Sequence, residues 1–346
     1  MSEPFLYFDD IRPHFAHAGF KAPMDVCSIC RTMDSEKIDL TFIDENNESI
    51  FYKVKQWLRT RRIISKLPKG RVLFLTMPTF YAVHRSFPVI KKRKMRMIGL
   101  VHDLHGLRFG DFVELKREIK KISCMDVVIS HNSSFTDKLV ELGVNRDKII
   151  EIGLFDYLCE KPVVPANRHG IAFAGNLPKS VFLRKLPDSL LDCEMRLYGT
   201  PFQEHISEKA VFEGSYDSEA IVNKVTECKY GLIWDGDSVD TCSGLMGEYM
   251  RINNPHKLSL YVAAELPVIT WKEAAIAKFV EDNGIGICVS SLNEVSAAIA
   301  DIDDKRYNDM RNRLSMFGEK IRKGYFLRSS IDKALKIISE KGDGRI

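Results

Sequence analysis

Short apolar runs rich in β-branched residues recur along the chain, and between them the hydrophobic positions fall at helical spacing. The runs predict strands at 5–8, 38–43, 72–76, 97–101, 127–130 and 149–152. Helical patterns lie near 22–33, 49–67, 79–90, 111–123 and 133–142. The stretch 156–170 holds two prolines and little periodicity, and reads as a linker. The alternation then restarts, with strands at 171–174, 195–198, 231–234, 267–270 and 285–288. Helices fall near 178–187, 217–227, 255–264, 273–282 and 292–301, and 303–340 is helical throughout. Continuous apolar strands separated by helices imply parallel sheets covered on both faces. The expected organisation is α/β: an N-terminal domain over 1–157, a linker at 158–169, a second domain over 170–320 and a helical tail over 321–346.

Composition narrows the class. With 346 residues, 45% of them hydrophobic, the chain can bury two cores. No apolar stretch approaches the roughly 20 residues of a membrane span. The N-terminus carries acids early and lacks a basic segment, so a cytoplasmic location is expected. A net charge of +4 without a nucleic-acid-binding motif argues against nucleic acid as partner. The basic runs 59–62 and 91–96 are either solvated faces or contacts to anionic lipid. Cys27 and Cys30 have C-x-x-C spacing inside a predicted helix, with no second ligand pair, and read as buried thiols.

Open α/β sheets bind ligands beyond the carboxyl ends of their strands, so the residues that follow strands are the candidates. After the fourth strand stand His102 and Asp103, with His105 and Arg108 close behind. Either of the first two can serve as a general base; a polar solvated loop is the alternative. Gly19 and Lys21 follow the first strand, before a helix; an ordinary loop explains them equally well. Asn176 and Lys179 follow the first strand of the second half, in a loop able to hold phosphate or ribose. Asp235 and Asp237 form a D-x-D that fails the calcium template, because Val239 and Asp240 stand where an acid and a glycine are needed. A metal-free polar loop that binds sugar hydroxyls is favoured there.

The stretch 253–261, NNPHKLSLY, opens a helix, with Asn254 as its expected N-cap and Pro255 as its first residue. His256 and Lys257 then fall in the first turn. A cation is disfavoured there by a few tenths of a kcal/mol unless an anion is present. A bound phosphate explains Lys257 better than helix stability does; a surface lysine that tolerates the penalty is the alternative.

Several blocks together resemble the WbbI-like bacterial β-1,6-galactofuranosyltransferases and their glucosyltransferase relatives. They are AGFKAPMD, VHDLHGLR, DVVISHNSSFTDKL, EIGLFDYL, AGNL, GLIWDGDSVDTCSG, NNPHKLSLYVAAELPVITW and FVEDNGIG, in order over nearly the whole chain. The resemblance implies a GT-B fold, two Rossmann-like domains with an interdomain cleft, and a hexosyltransferase of O-antigen-type lipopolysaccharide or other polysaccharide biosynthesis. Its donor would be a UDP-sugar, UDP-galactofuranose above all, and its acceptor a glycan on polyprenyl diphosphate. It also implies inversion, no metal or other cofactor, and a cytoplasmic protein with room for peripheral inner-membrane contact and homo-oligomers. On this reading Asp103 is the base, with His102 second. Lys257, His256, Asn254, Ser259, Asn176 and Lys179 hold the diphosphate end of the donor. Asp235, Asp237, Ser243 and Gly244 contact its sugar, and Gly19, Lys21 and Arg108 serve the acceptor side. The Glu-x7-Glu spacing of many retaining relatives is absent, since His256 stands eight residues after Glu248. Acids that commonly follow the His-Asp pair are replaced by His105 and Gly106.

Overall fold

The computed structural model describes residues 3–9, 21–43, 49–201 and 209–343. The described chain falls into two compact units. One contains residues 23–153 with the first strand and everything from Leu327 onward; the other contains 154–326 together with Lys21 and Ala22.

The first unit runs β1 (Phe5–Asp9), α1 (Lys21–Arg31), β2 (Ser35–Asp39), α2 (Ile50–Lys66), β3 (Val72–Met77), α3 (Tyr81–His84), α4 (Phe87–Lys92), β4 (Arg96–Val101), α5 (His105–Arg108), α6 (Phe112–Ile122), β5 (Val127–Ser130), α7 (Ser133–Glu141) and β6 (Ile149–Glu151). Its sheet is parallel throughout, in the order β2-β1-β3-β4-β5-β6. The central strands are apolar at nearly every position because helices cover both faces, and Leu73, Ile98, Leu100 and all of β5 are buried. Cys27 and Cys30 are buried in α1, and burial raises the Cys30 thiol.

The second unit runs β7 (Ile171–Asn176), α8 (Asp188–Leu191), β8 (Met195–Thr200), β9 (Ala210–Gly214), α9 (Ala220–Val225), β10 (Tyr230–Ile233), α10 (Gly244–Tyr249), α11 (His256–Ala263), β11 (Val268–Trp271), α12 (Ala277–Asn283), β12 (Gly286–Val289), α13 (Val295–Ala300) and α14 (Asp304–Arg322). A last helix, α15 (Tyr325–Asp343), begins here and counts with the first unit from Leu327. The second sheet is also parallel, ordered β12-β11-β10-β7-β8-β9. Both orders are those of doubly wound folds.

Several elements differ from expectation. The helix expected near 79–90 is two short ones, because Pro88 sits in the first turn of the second and restarts the chain there. The helix expected at 178–187 is two 3-10 turns followed by α8. The edge strand β9 has no apolar alternation to announce it, with a pattern of AVFEG. The tail is broken at Gly324, whose φ of 73° ends α14.

Candidate active site

In the second unit, β7 and β8 end side by side at Gly175 and Gly199, which are register partners. A side chain at 199, where φ is 135°, would collide with the Gly175 carbonyl oxygen. One at 175 would lie 3.0 Å from the Cε of Lys257. Lys257 thus folds back from the second position of α11 onto the end of β7, with its Nζ 4.4 Å from the Phe173 ring centroid. Next to Gly175, Asn176 is exposed, and its Oδ1 accepts the Lys179 N–H at 3.3 Å. Lys179 is exposed as well.

The helix that presents Lys257 is fixed by buried contacts. The Tyr261 hydroxyl accepts the Ala174 N–H at 3.0 Å and lies 3.2 Å from the Ala172 carbonyl and 3.3 Å from that of Leu232. Its ring lies on Gly231, where a Cβ would meet ring carbons at 2.6 Å. At the other end of α11, Arg322 donates to the Ala263 carbonyl at 2.7 Å and pairs with Glu265 at 3.0 Å, both side chains being buried.

Two expectations about this helix are corrected. It starts one residue late: Pro255, at φ −67° and ψ 137°, holds the N-cap position and His256 is the first helical residue. Proline's fixed φ suits both positions, but its ψ here is extended. Asn254 therefore does not hold the N-cap position and is itself buried, and Ser259 is buried at 2% exposure inside the helix. His256 instead packs its ring 5.6 Å from that of Tyr157 and 6.3 Å from that of Phe155.

The loop after β10 is folded on itself. Asp237 accepts the Ser243 hydroxyl, and the Asp237 carbonyl accepts Lys185 Nζ at 2.8 Å. Gly236 and Gly244 have φ of 105° and 72° and permit the turn. Asp237 is exposed, while Asp235 is partly buried at the end of β10, the strand next to β7. Cys242, buried beside Asp235 with Lys257 and Arg251 in electrostatic reach, has its thiol pushed up to about 12 by burial. Among the described residues no group of three His, Cys, Asp or Glu side chains could hold a metal ion.

In the first unit, β4 delivers His102 and Asp103, and the His102 N–H is bonded to the Met77 carbonyl at 2.8 Å. Burial pushes the His102 imidazole down to about 4, against the opposing pull of Asp103. Asp103 is partly buried, and its Oδ2 accepts Arg108 Nη1 at 2.5 Å. The loop between them is held from α6. Glu118, buried at 3% exposure, accepts the His105 and Gly106 N–H groups at 2.9 and 3.0 Å, one on each carboxylate oxygen. Burial nevertheless raises its pKa. Gly106 is a packing requirement, because a Cβ there would strike the backbone of Leu115. On the neighbouring strand β5, His131 follows directly. Its Nε2 lies 3.0 Å from the Val101 carbonyl, its ring stacks on Phe135 at 3.9 Å, and burial pushes it down to about 3.

Gly19 lies outside the described residues. Lys21 is the first residue of α1, is buried, and donates to the Leu158 carbonyl at 2.5 Å with its Nζ 4.8 Å from the Tyr157 ring centroid. Expected just before a helix, it is instead the first residue of that helix and counts with the second unit.

A model of the glucosyltransferase 3-like N-terminal domain matches residues 10–154, and one of the C-terminal domain matches 171–334. The β-1,6-galactofuranosyltransferase WbbI of Escherichia coli K12 is 31% identical over 339 residues, 95% of this chain and 98% of WbbI. The chain belongs to the glucosyltransferase 3-like family. Glucosyltransferase 3 of Streptococcus parasanguinis is 24% identical over 79% of this chain and 81% of its own length. Among solved structures, HepE of Anabaena, in complex with UDP, has a TM-score of 0.66 at 10% identity, covering 96% of this chain and 99% of HepE. A sucrose-phosphate synthase of Thermosynechococcus elongatus has a TM-score of 0.63 at 11% identity, covering 97% and 100%. The fold is GT-B, and the protein is a glycosyltransferase.

Three residues of this glycosyltransferase escaped the sequence reading. His131 was within reach of the same rule that selected His102, since both leave a strand directly. Glu118 falls with Leu115 and Ile122 on the buried face of α6, and an acid on an apolar stripe is the signal it gave. Cys242 had no signal, because its neighbours come from other elements.

Proposed function

We propose that the protein is an inverting hexosyltransferase that moves galactofuranose from UDP-galactofuranose to a glycan acceptor on polyprenyl diphosphate, in O-antigen or related polysaccharide synthesis. The observation that carries the reading is Lys257 folded over Gly175 at the positive end of α11, beside the ends of β7 and β10. A cation at a helix N-terminus where parallel strands end suits a diphosphate. HepE, of the same fold, was solved with UDP and with UDP-glucose. The galactofuranosyl assignment is supported by the 31% identity with WbbI over 95% of this chain and 98% of WbbI.

In this reading the acceptor hydroxyl attacks the anomeric carbon as the bond to the diphosphate breaks, inverting the centre. The hydroxyl proton passes to Asp103. His102 is the second choice, since an imidazole of pKa about 4 is neutral at pH 7 yet a weak base. UDP leaves with the bonding electrons, and Lys257 meets the charge that develops. No metal takes part, and turnover should persist in chelator. The protein works in the cytoplasm, in peripheral contact with the inner membrane.

The test is a donor-by-acceptor assay with UDP-galactofuranose and UDP-glucose on simple α- and β-glycosides. Transfer from UDP-galactofuranose is expected. Transfer from UDP-glucose alone would favour a glucosyltransferase, the activity in the name of the streptococcal relatives. UDP binding without turnover on any glycoside would point to a non-catalytic nucleotide-sugar-binding partner.

A further inference from the structure

Helix α2 leaves an apolar stripe in solvent. The positions it buries are Gln56, Thr60 and Ile64, at 7%, 0% and 0% exposure. The positions it presents outward include Ile50, Phe51, Val54 and Leu58, at 81%, 83%, 42% and 52%. At 100° per residue these four fall within about one 100° sector, a single apolar stripe. The rest of the helix is strongly basic. Over Ile50–Lys66 it carries Lys53, Lys55, Arg59, Arg61, Arg62 and Lys66, and no acidic residue. Lys55 and Arg62 are exposed along the edge of the stripe, and Arg61 is exposed in the same sector one turn beyond Leu58.

Neighbouring helices add further exposed cations. Helix α2 packs against α3 and α4, whose Lys91 and Lys92 are exposed. His84 of α3 lies in electrostatic reach of Lys120 and Lys121 of α6. The start of α6 exposes Phe112 and Val113 at 74% and 60% and Lys116 after them, but Glu114 there pairs with Arg117 at 3.4 Å and Lys121 at 3.5 Å. The basic run 91–96 contributes less than its sequence suggests, because Arg93 bonds the Leu67 carbonyl and Arg96 pairs with Asp126 at 2.9 Å.

We propose that the outer face of α2 docks on an anionic phospholipid surface, with Ile50, Phe51, Val54 and Leu58 entering the headgroup boundary and Lys55, Arg61 and Arg62 meeting lipid phosphates. An acid-free basic helix with an exposed apolar stripe complements a negatively charged bilayer, and the apolar and electrostatic contributions add. The proposal deepens the membrane contact suggested above and rests on that part of the reading alone; the donor sugar does not enter it.

The test is co-sedimentation of the full chain with vesicles of phosphatidylglycerol or of phosphatidylcholine. Binding to the first, little to the second, and loss of binding at 1 M salt are expected, the Debye length there being about 3 Å. The double variant Phe51→Ser, Leu58→Ser and the triple variant Lys55→Gln, Arg61→Gln, Arg62→Gln should each lower the bound fraction about tenfold. Because these side chains are exposed, both variants should keep the parent's melting temperature and its transfer rate on a soluble glycoside. Unchanged vesicle binding in both variants would overturn the proposal. So would light scattering showing that the apolar variant dissociates an oligomer, which would make the stripe a contact between copies of this chain. Failure on vesicles with intact transfer sinks only the docking face; loss of transfer in the parent chain sinks only the transferase reading.

Discussion

In the proposed reading, Lys257 is the residue on which donor binding turns. Its ammonium stem fills the space above Gly175, so truncation removes a charge without opening a core. Lys257→Ala should weaken UDP binding about 10- to 100-fold by calorimetry, the cost of about 1.5–3 kcal/mol for a charge-assisted hydrogen bond. An unchanged affinity would remove the diphosphate from this position. Asp103→Asn should cut turnover by about 10²–10⁴ while UDP affinity is kept, and normal activity would dismiss Asp103 as base. The partly buried His102 and the buried His131 make a separate prediction about pH. Burial lowers His102 to about 4 and His131 to about 3, whereas an unfolded histidine titrates near 6.5. Below pH 6.5 the unfolded chain binds more protons than the folded one, so their contribution to stability is complete above 6.5 and is lost as pH falls toward 4 and 3. The raised Glu118 opposes this just above the usual carboxyl range. Urea midpoints should drop between pH 7.5 and pH 5, and the drop should shrink in His131→Gln.

At the scale of elements, α11 matters most, because it carries Lys257 and is located by Tyr261. Gly231→Ala would push a methyl into the Tyr261 ring, an overpacking cost of about 1–3 kcal/mol. The expected result is a lower melting temperature together with weaker UDP binding, since the displaced helix moves its lysine. A variant that melts early but binds UDP normally would show that Tyr261 does not set the position of Lys257. In the first unit the matching device is Glu118 on α6, which holds α5 by two backbone N–H groups and so holds the segment that contains the Asp103–Arg108 pair. The expected acid after the His-Asp pair is not there, and Gly106 takes its place because α5 and α6 approach too closely for a side chain.

At the scale of the molecule, the proposed transfer needs an acceptor, so UDP release should depend on an added glycoside; equal release without one would indicate a hydrolysing sugar-nucleotide enzyme. Much of the architecture was legible in the chain. Apolar strands alternating with amphipathic helices announce a parallel sheet whatever the side chains around it, and a break rich in proline separates two such runs. The strand-end rule selected His102, Asp103, Asn176 and Asp235 without any coordinates. Lys257 stood out because a cation in the first turn conflicts with the helix dipole. What the sequence could not decide depends on groups far apart in the chain. Asn254 and Ser259 carry polar side chains at suitable spacing, yet packing buries both. Lys21 reads as a free cation until it meets Leu158 and Tyr157, more than a hundred residues away. Arg108 becomes the partner of Asp103 only when α5 turns it back. Helix α2 looks amphipathic in sequence, but only the tertiary structure showed that Gln56, Thr60 and Ile64 face inward and the stripe of Ile50, Phe51, Val54 and Leu58 faces out, because periodicity defines the faces of a helix and packing alone chooses which of them is buried.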